Sequence, residues 1–162
     1  MSNDYLESVY QMYCKELFLY AFSLTLNKND AEDLVADSFL KAFLSFKEGN
    51  LRAWLYKVLR NEYYNTRKKR KRILDESKIE IEKIQDSYDM IDELFKDEQK
   101  RWLYRSIYRL SKKERDVLLL SIQSGLKDLE IANIMNLSIE NIRVIKHRAK
   151  TKLIQMSEED NI

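Results

Sequence analysis

Apolar residues recur along this chain at intervals of three and four, the spacing of helices rather than strands. Leu6, Val9, Tyr10, Tyr13, Leu17, Tyr20, Ala21 and Leu24 fall on one helical stripe. The turn Asn27-Lys28-Asn29-Asp30 follows, with Asp30 as the expected N-cap. A second helix then carries Ala31, Leu34, Val35, Phe39, Ala42, Phe43 and Phe46 inward. Beyond the polar loop Lys47-Glu48-Gly49-Asn50, a third carries Leu51, Trp54, Leu55, Val58 and Leu59, and ends in the run Arg67-Lys68-Lys69-Arg70-Lys71-Arg72. Three such faces suffice for a small bundle. Apolar residues are sparse from Ile73 to Ser87, and from Asp89 a helix resumes with Ile91, Leu94, Phe95, Trp102, Leu103 and Ile107.

The stretch from Leu110 to Leu153 gives the sharpest local signals. Ser111 with Glu114 three residues on is a capping box. Gly125 stands where a left-handed residue closes a helix, and Asn136 sits at a turn that also tolerates positive φ. Ala132 is small where two helices cross closely, and Ser138 is a good N-cap for a last helix. In that helix Ile142, Ile145, Ala149 and Leu153 face inward, leaving Arg143, His147 and Arg148 outside the stripe. Helix, turn and a basic second helix form a unit that fits the major groove of DNA. The competing reading is a surface helix of an ordinary all-helical protein.

Composition narrows the class. The chain has no proline, two glycines and 35% charged residues, which together with the periodicity makes it all-α. Its 162 residues allow one sizeable core or two small ones. The net charge of +2 hides a segregation by segment: basic at the end of the third and last helices, acidic between Asp75 and Glu98. The expected organisation is a first bundle over 1–72, a partly flexible acidic linker over 73–88, a second bundle over 89–156 and a frayed acidic tail over 157–162. The single cysteine, Cys14, lies with Leu6, Tyr10 and Leu17 and reads as core packing in a reducing compartment. No signal peptide or membrane-length apolar span is present, so a cytoplasmic protein without membrane insertion is expected.

Enzymatic chemistry finds no footing. There is no Gly-rich phosphate loop, and His147, the one histidine, stands among cations. A metal site needs more His or Cys than the chain has, so no cofactor, no metal and no catalytic residue are expected. Two basic helices on two tethered bundles imply instead two contacts on one extended polymer, each free to be weak alone. The first basic segment interleaves Lys57, Arg60 and Arg67 with Asn61, Tyr63, Tyr64 and Asn65. Its cations attract phosphate, while Asn and Tyr can bond or stack on exposed bases. A solvated helix end is the plainer alternative.

The run Asp30-Ala31-Glu32-Asp33-Leu34-Val35-Ala36-Asp37-Ser38-Phe39, followed by Leu51-Arg52-Ala53-Trp54-Leu55-Tyr56-Lys57-Val58-Leu59-Arg60-Asn61, resembles the region-two domain of bacterial sigma factors. The extracytoplasmic-function group (ECF, group IV), which keeps only regions two and four, is the nearest likeness; Leu110–Leu153 is similar to its region four. The resemblance implies an alternative sigma factor that binds core RNA polymerase through the β′ clamp helices, with Asp30, Asp33 and Asp37 as the contacting positions. It implies minus-ten recognition and melting by Lys57, Arg60, Asn61, Tyr64 and Arg67, with Asn61 near a flipped base. It further implies minus-thirty-five reading by Ser138, Glu140, Asn141, Arg143, Lys146, His147, Arg148 and Lys150, and an anti-sigma factor as a further partner. Three positions depart from the family pattern: Ala36 replaces the usual Gln, and Ile145 and Lys146 stand where Arg and Leu are common. The last swap implies a local shift in which side chain faces inward. Two other readings remain: a sigma mimic that titrates an anti-sigma factor, and a stand-alone helix-turn-helix regulator, which leaves the first seventy residues without a role.

Overall fold

The computed structural model describes residues 3–70 and 87–162, with the side chains of 3 and 67–70 outside the description. The expected linker therefore lies outside the described residues except at 87 and 88. The described residues are built of helices and their connecting turns, as the periodicity requires, and divide into two compact units, Met1–Asp75 and Glu76–Ile162.

In the first unit, α1 (Asn3–Thr25), α2 (Lys28–Ser45) and α3 (Leu51–Arg70) pack around Leu17, Tyr20, Ala21, Leu55, Tyr56 and Leu59, all fully buried. Each fully buried large apolar side chain contributes about 1.5–3 kcal/mol. Tyr20 and Tyr56 meet edge to face, ring centroids 5.1 Å apart. The Tyr56 hydroxyl donates to Glu16 Oε1 at 3.3 Å, and Arg52 Nε lies 3.0 Å from the same oxygen. The α1–α2 turn is tighter than expected. Leu26 takes φ +51 and donates back to Phe22 O, so Asn27, not Asp30, is the N-cap, its side chain accepting from Asp30 N–H at 2.9 Å. Asp30 thus sits inside the first turn, where a carboxylate favours the helix dipole.

Two inward assignments change. Tyr10 is exposed on the amino half of α1, where its ring meets that of Phe39 at 4.9 Å. Phe43 lies at the rim, while Ser38 holds the buried position of α2 with its hydroxyl donating to Leu34 O at 2.7 Å. A small polar side chain satisfied by its own helix fits where the inward row 31, 34, 35, 38, 42 passes closest to its neighbours. Asn50 caps α3 by accepting from Ala53 N–H at 3.1 Å, after Gly49 has turned the chain at φ +106.

The second unit comprises α4 (87–94), α5 (Glu98–Tyr108), α6 (Lys112–Leu118) with a π turn over Leu119–Gln123, α7 (Asp128–Met135) and α8 (Ile139–Glu159). Its core is mainly aliphatic: Ile91, Ile107, Leu118, Leu119, Leu120, Ile131 and Ile142 are fully buried. The helix expected from Asp89 is already formed at Ser87, which is buried, and it breaks at 95–97. The break is stable because Asp97 caps α5, accepting from Gln99 N–H at 2.9 Å, and Arg101 Nη1 donates to the carbonyls of Phe95 and Lys96 at 3.1 and 3.0 Å. The expected tail is also shorter. Helix α8 continues to Glu159, and Trp102 Nε1 donates to Asp160 Oδ2 at 2.9 Å, which fixes that end against α5.

Candidate nucleic-acid interface

The site divides over three helix faces, each left outside its own core. On α2, Asp33 and Asp37 are exposed one turn apart, and Asp30 is half-buried in the first turn. The same outer face carries Leu40 and Leu44, 58% and 74% exposed. An acidic row with two open leucines beside it suits a partner that is both basic and apolar. Lys41, between the two leucines in sequence, pairs with Glu62 of α3.

On α3, Lys57, Arg60, Asn61 and Tyr64 recur at helical spacing and share one face. Lys57 and Arg60 are half-buried, Asn61 and Tyr64 exposed. The Arg60 guanidinium lies 4.7 Å from the Tyr64 ring centroid, and the Tyr63 ring meets Tyr64 edge-on at 5.0 Å. A cation over the ring and a second ring at its edge hold Tyr64 in one orientation. The backbone continues helical through Arg67, whose side chain lies outside the described residues.

Helices α6, α7 and α8 build the third face. The expected capping box is present: Glu114 N–H donates to Ser111 Oγ at 3.3 Å and Ser111 N–H to Glu114 Oε1 at 3.2 Å. Gly125 takes φ +67 and Asn136 φ +55, as their turns demand. Ser138 caps α8, accepting from Asn141 N–H at 3.1 Å. Ile142, Ile145 and Ala149 are buried and Leu153 is half-buried. The second helix is thereby locked in register, with Glu140, Asn141, Arg143, His147, Arg148 and Lys150 exposed along it and Ser138 exposed at its start.

Lys146 is placed differently from the other cations. Its side chain is 23% exposed and its Nζ donates to Asp128 Oδ1 of α7 at 2.9 Å, whereas Arg143 is 65% exposed. The Asp128 carboxyl is held below the ordinary aspartate range, first by the Lys146 hydrogen bond. Glu114 shows the same logic deeper in the unit. Burial alone raises its carboxyl, but hydrogen bonds from Lys152 Nζ at 2.8 Å and from Ser111 outweigh it and leave the pKa lowered. Lys152 thus ties α8 to α6.

Sequence reasoning passed over four residues here: Leu40, Leu44, Val144 and Asp128. Val144 is 45% exposed on the outer face of α8, between Arg143 and His147. For Leu40, Leu44 and Val144 a signal was available, since each is apolar yet off the inward stripe of its helix. Asp128 had none in the local pattern, because its partner is 18 residues away. Among the described residues no cluster of three His, Cys, Asp or Glu is disposed to hold a metal ion, and no helix is long and apolar enough to cross a membrane.

Comparison with known proteins agrees with this arrangement. Residues 9–73 match the family model for sigma-70 region 2, and residues 100–153 that for sigma-70 region 4. The chain is 27% identical over 160 residues to the ECF RNA polymerase sigma factor SigM of Bacillus subtilis (strain 168), covering 91% of this chain and 92% of that protein. It is 30% identical over 138 residues to the ECF RNA polymerase sigma factor EcfG of Rhodopseudomonas palustris (strain TIE-1), covering 83% and 75% respectively. Among solved structures it resembles the sigma factor RpoE of Bartonella quintana, determined in complex with the anti-sigma factor NepR, with TM-score 0.67, 27% identity and coverage of 97% of this chain and 98% of that one. With regions two and four present in that order, the chain belongs to the ECF RNA polymerase sigma factors, alternative sigma factors that direct transcription initiation by core polymerase.

Proposed function

We propose that this sigma factor divides its work over the three faces as follows. The outer face of α2 docks on the β′ clamp helices of core polymerase: Asp33 and Asp37, with Asp30 behind them, pair with basic residues, while Leu40 and Leu44 bury apolar area that is otherwise wet. The exposed edge of α3 takes the opened minus-ten strand. Asn61 hydrogen-bonds an extruded base, Tyr64 stacks on a neighbour, and Lys57, Arg60 and Arg67 follow the backbone. Helix α8 lies in the major groove of the minus-thirty-five duplex. Ser138, Glu140 and Asn141 approach base edges at its start, Arg143, Val144, His147 and Arg148 face the groove, and Lys150 reaches phosphate. Val144 is suited to a thymine methyl.

The observation that carries this reading is the separation of chemistries: an acidic and apolar face on α2, a basic and aromatic one on α3, a basic one without tyrosine, tryptophan or phenylalanine on α8. The protein works in the cytoplasm beside the polymerase, which supplies the catalytic chemistry. The complex of RpoE with NepR supports an anti-sigma factor as a regulating partner. The test is in-vitro transcription and co-purification with core enzyme. Asp33→Arg with Asp37→Arg is expected to weaken core binding at least tenfold while each exposed swap costs under ~0.5 kcal/mol of stability. Undiminished co-purification of this double variant overturns the docking assignment.

A further inference from the structure

The cations of α8 are not used alike, and the reason lies on α7. Asp128 is the first residue of α7, where a helix favours a carboxylate. From there it engages α8 with both oxygens: Oδ1 accepts from Lys146 Nζ at 2.9 Å, and Oδ2 lies 3.7 Å from Arg143 Nε. Arg143 and Lys146 are three residues apart, so one carboxylate spans neighbouring turns. The two contacts differ in kind. Lys146 is at hydrogen-bond distance and 23% exposed, next in sequence to buried Ile145. Arg143 is at ion-pair distance through Nε and 65% exposed, so one edge of its guanidinium lies beside Asp128 while most of the side chain stays open to solvent. A lysine at the edge of the aliphatic core is tolerable only with a counter-charge beside it, and Asp128 supplies one. The Lys146 hydrogen bond, with the Arg143 charge beside it, holds the Asp128 carboxyl below the ordinary aspartate range.

We propose that Asp128 is a positioning residue for promoter reading: it withholds Lys146 from the DNA phosphates and aims Arg143 into the groove. This rests on α8 being the duplex-reading helix. It follows that α8 has fewer working cations than its sequence shows, and that the specificity of Arg143 depends on a residue that touches no DNA.

The experiment uses the full chain assembled with core polymerase and a short duplex that the wild-type complex selects from a randomised pool. Affinity is read over a series of salt concentrations, for the selected duplex and its single-base variants. Asp128→Asn is expected to steepen the logarithmic salt slope by ~0.9, the value of one added phosphate contact. It also lowers discrimination on the order of tenfold at the bases that Arg143→Ala affects. Asp128→Glu, which keeps the charge, retains the wild-type slope. Asp128→Asn with Lys146→Met returns the slope to wild type but leaves discrimination low, a split that a merely structural role does not produce. Unchanged slope and discrimination in folded Asp128→Asn overturn the proposal. Should that variant not fold, Lys146→Met alone decides: an unaltered slope supports the proposal, and a slope shallower by ~0.9 makes Lys146 a phosphate contact and overturns it. Arg143→Ala separates the two levels of the argument. If it leaves duplex binding intact, α8 is not the reading helix. If it weakens binding while Asp128→Asn does nothing, only the positioning role fails.

Discussion

Helices α3 and α8 both leave their bundles with cations outward, yet they carry them differently. On α3 the Arg60 guanidinium lies over the Tyr64 ring, which also meets Tyr63 edge-on. Helix α8 has no tyrosine, tryptophan or phenylalanine at all. Their braces differ as well. Helix α3 is tied to α2 by Lys41–Glu62, with side chains 49% and 29% exposed, whereas α8 is tied to α6 by Lys152–Glu114, 52% and 8% exposed, so only the second pair has a buried carboxylate. In the proposed division of work, α3 meets unpaired bases, which offer a flat face, so a ring held ready matters there more than a tight brace. In the same proposal α8 meets paired bases, which offer only their edges, so its angle in the groove matters more than rings.

Removing the cations that distinguish α8 is expected to have the largest effect. Arg143→Ala with Arg148→Ala should cost about 2–6 kcal/mol of duplex affinity if each contributes about 1–3 kcal/mol, with opened-strand binding unchanged. Fluorescence anisotropy on duplex and pre-melted promoter fragments measures both, and equal losses on the two would erase the comparison.

The converse experiment is next in size. Tyr64→Ala should cost about 1–3 kcal/mol on the opened strand, the value of one stacked base, and spare the upstream duplex. Asn61→Ala should act in the same direction and reduce permanganate reactivity at the melted site. If neither variant alters a pre-melted bubble, with right or wrong minus-ten sequence, α3 supports structure rather than reading bases.

The braces give the third and fourth tests. Glu114→Gln should cost about 1.5–3 kcal/mol near neutral pH, because it takes the charge from a buried carboxylate that accepts from Lys152 and Ser111. Its sign with pH is set by the lowered carboxyl. The stabilisation is complete above the ordinary glutamate pKa and disappears as pH falls through the lower folded value. Denaturant titrations of wild type and variant should therefore converge in acid; a difference that persists or grows there contradicts the ionised brace. Glu62→Gln, on the exposed brace of α3, should cost under ~1 kcal/mol and lose even that in high salt. A larger, salt-insensitive loss would place α3 and α8 on the same footing.

Much of this is legible in the amino-acid sequence. The capping box at Ser111, the left-handed Gly125 and Asn136 and the cap at Ser138 depend on a few neighbouring atoms, so residue type alone identifies them. The same holds for the outward cations of α8 and the polar-aromatic face of α3, which follow from helical spacing. Less legible were features settled by distant partners or by competition among similar residues. Asn27 rather than Asp30 caps α2 because Leu26 turns the chain early. Asp97 was one acid among many until Arg101 took up the carbonyls of the break. Lys146 reads in sequence like the cations around it, and only the fold brings Asp128 beside it.

The contact of Trp102 with Asp160 has a mechanical consequence for the opposite end of α8. A helix of 21 residues is about 30 Å long at ~1.5 Å per residue. A rod of that length, pivoting by ~5° at its far end, would swing its reading end by roughly 3 Å, a whole hydrogen-bond length. The indole N–H clamps the far end to α5 while Ser138 and Asp128 hold the near one. Asp160, just past the far end of α8, thus limits the swing of the end that the proposed function places against the bases.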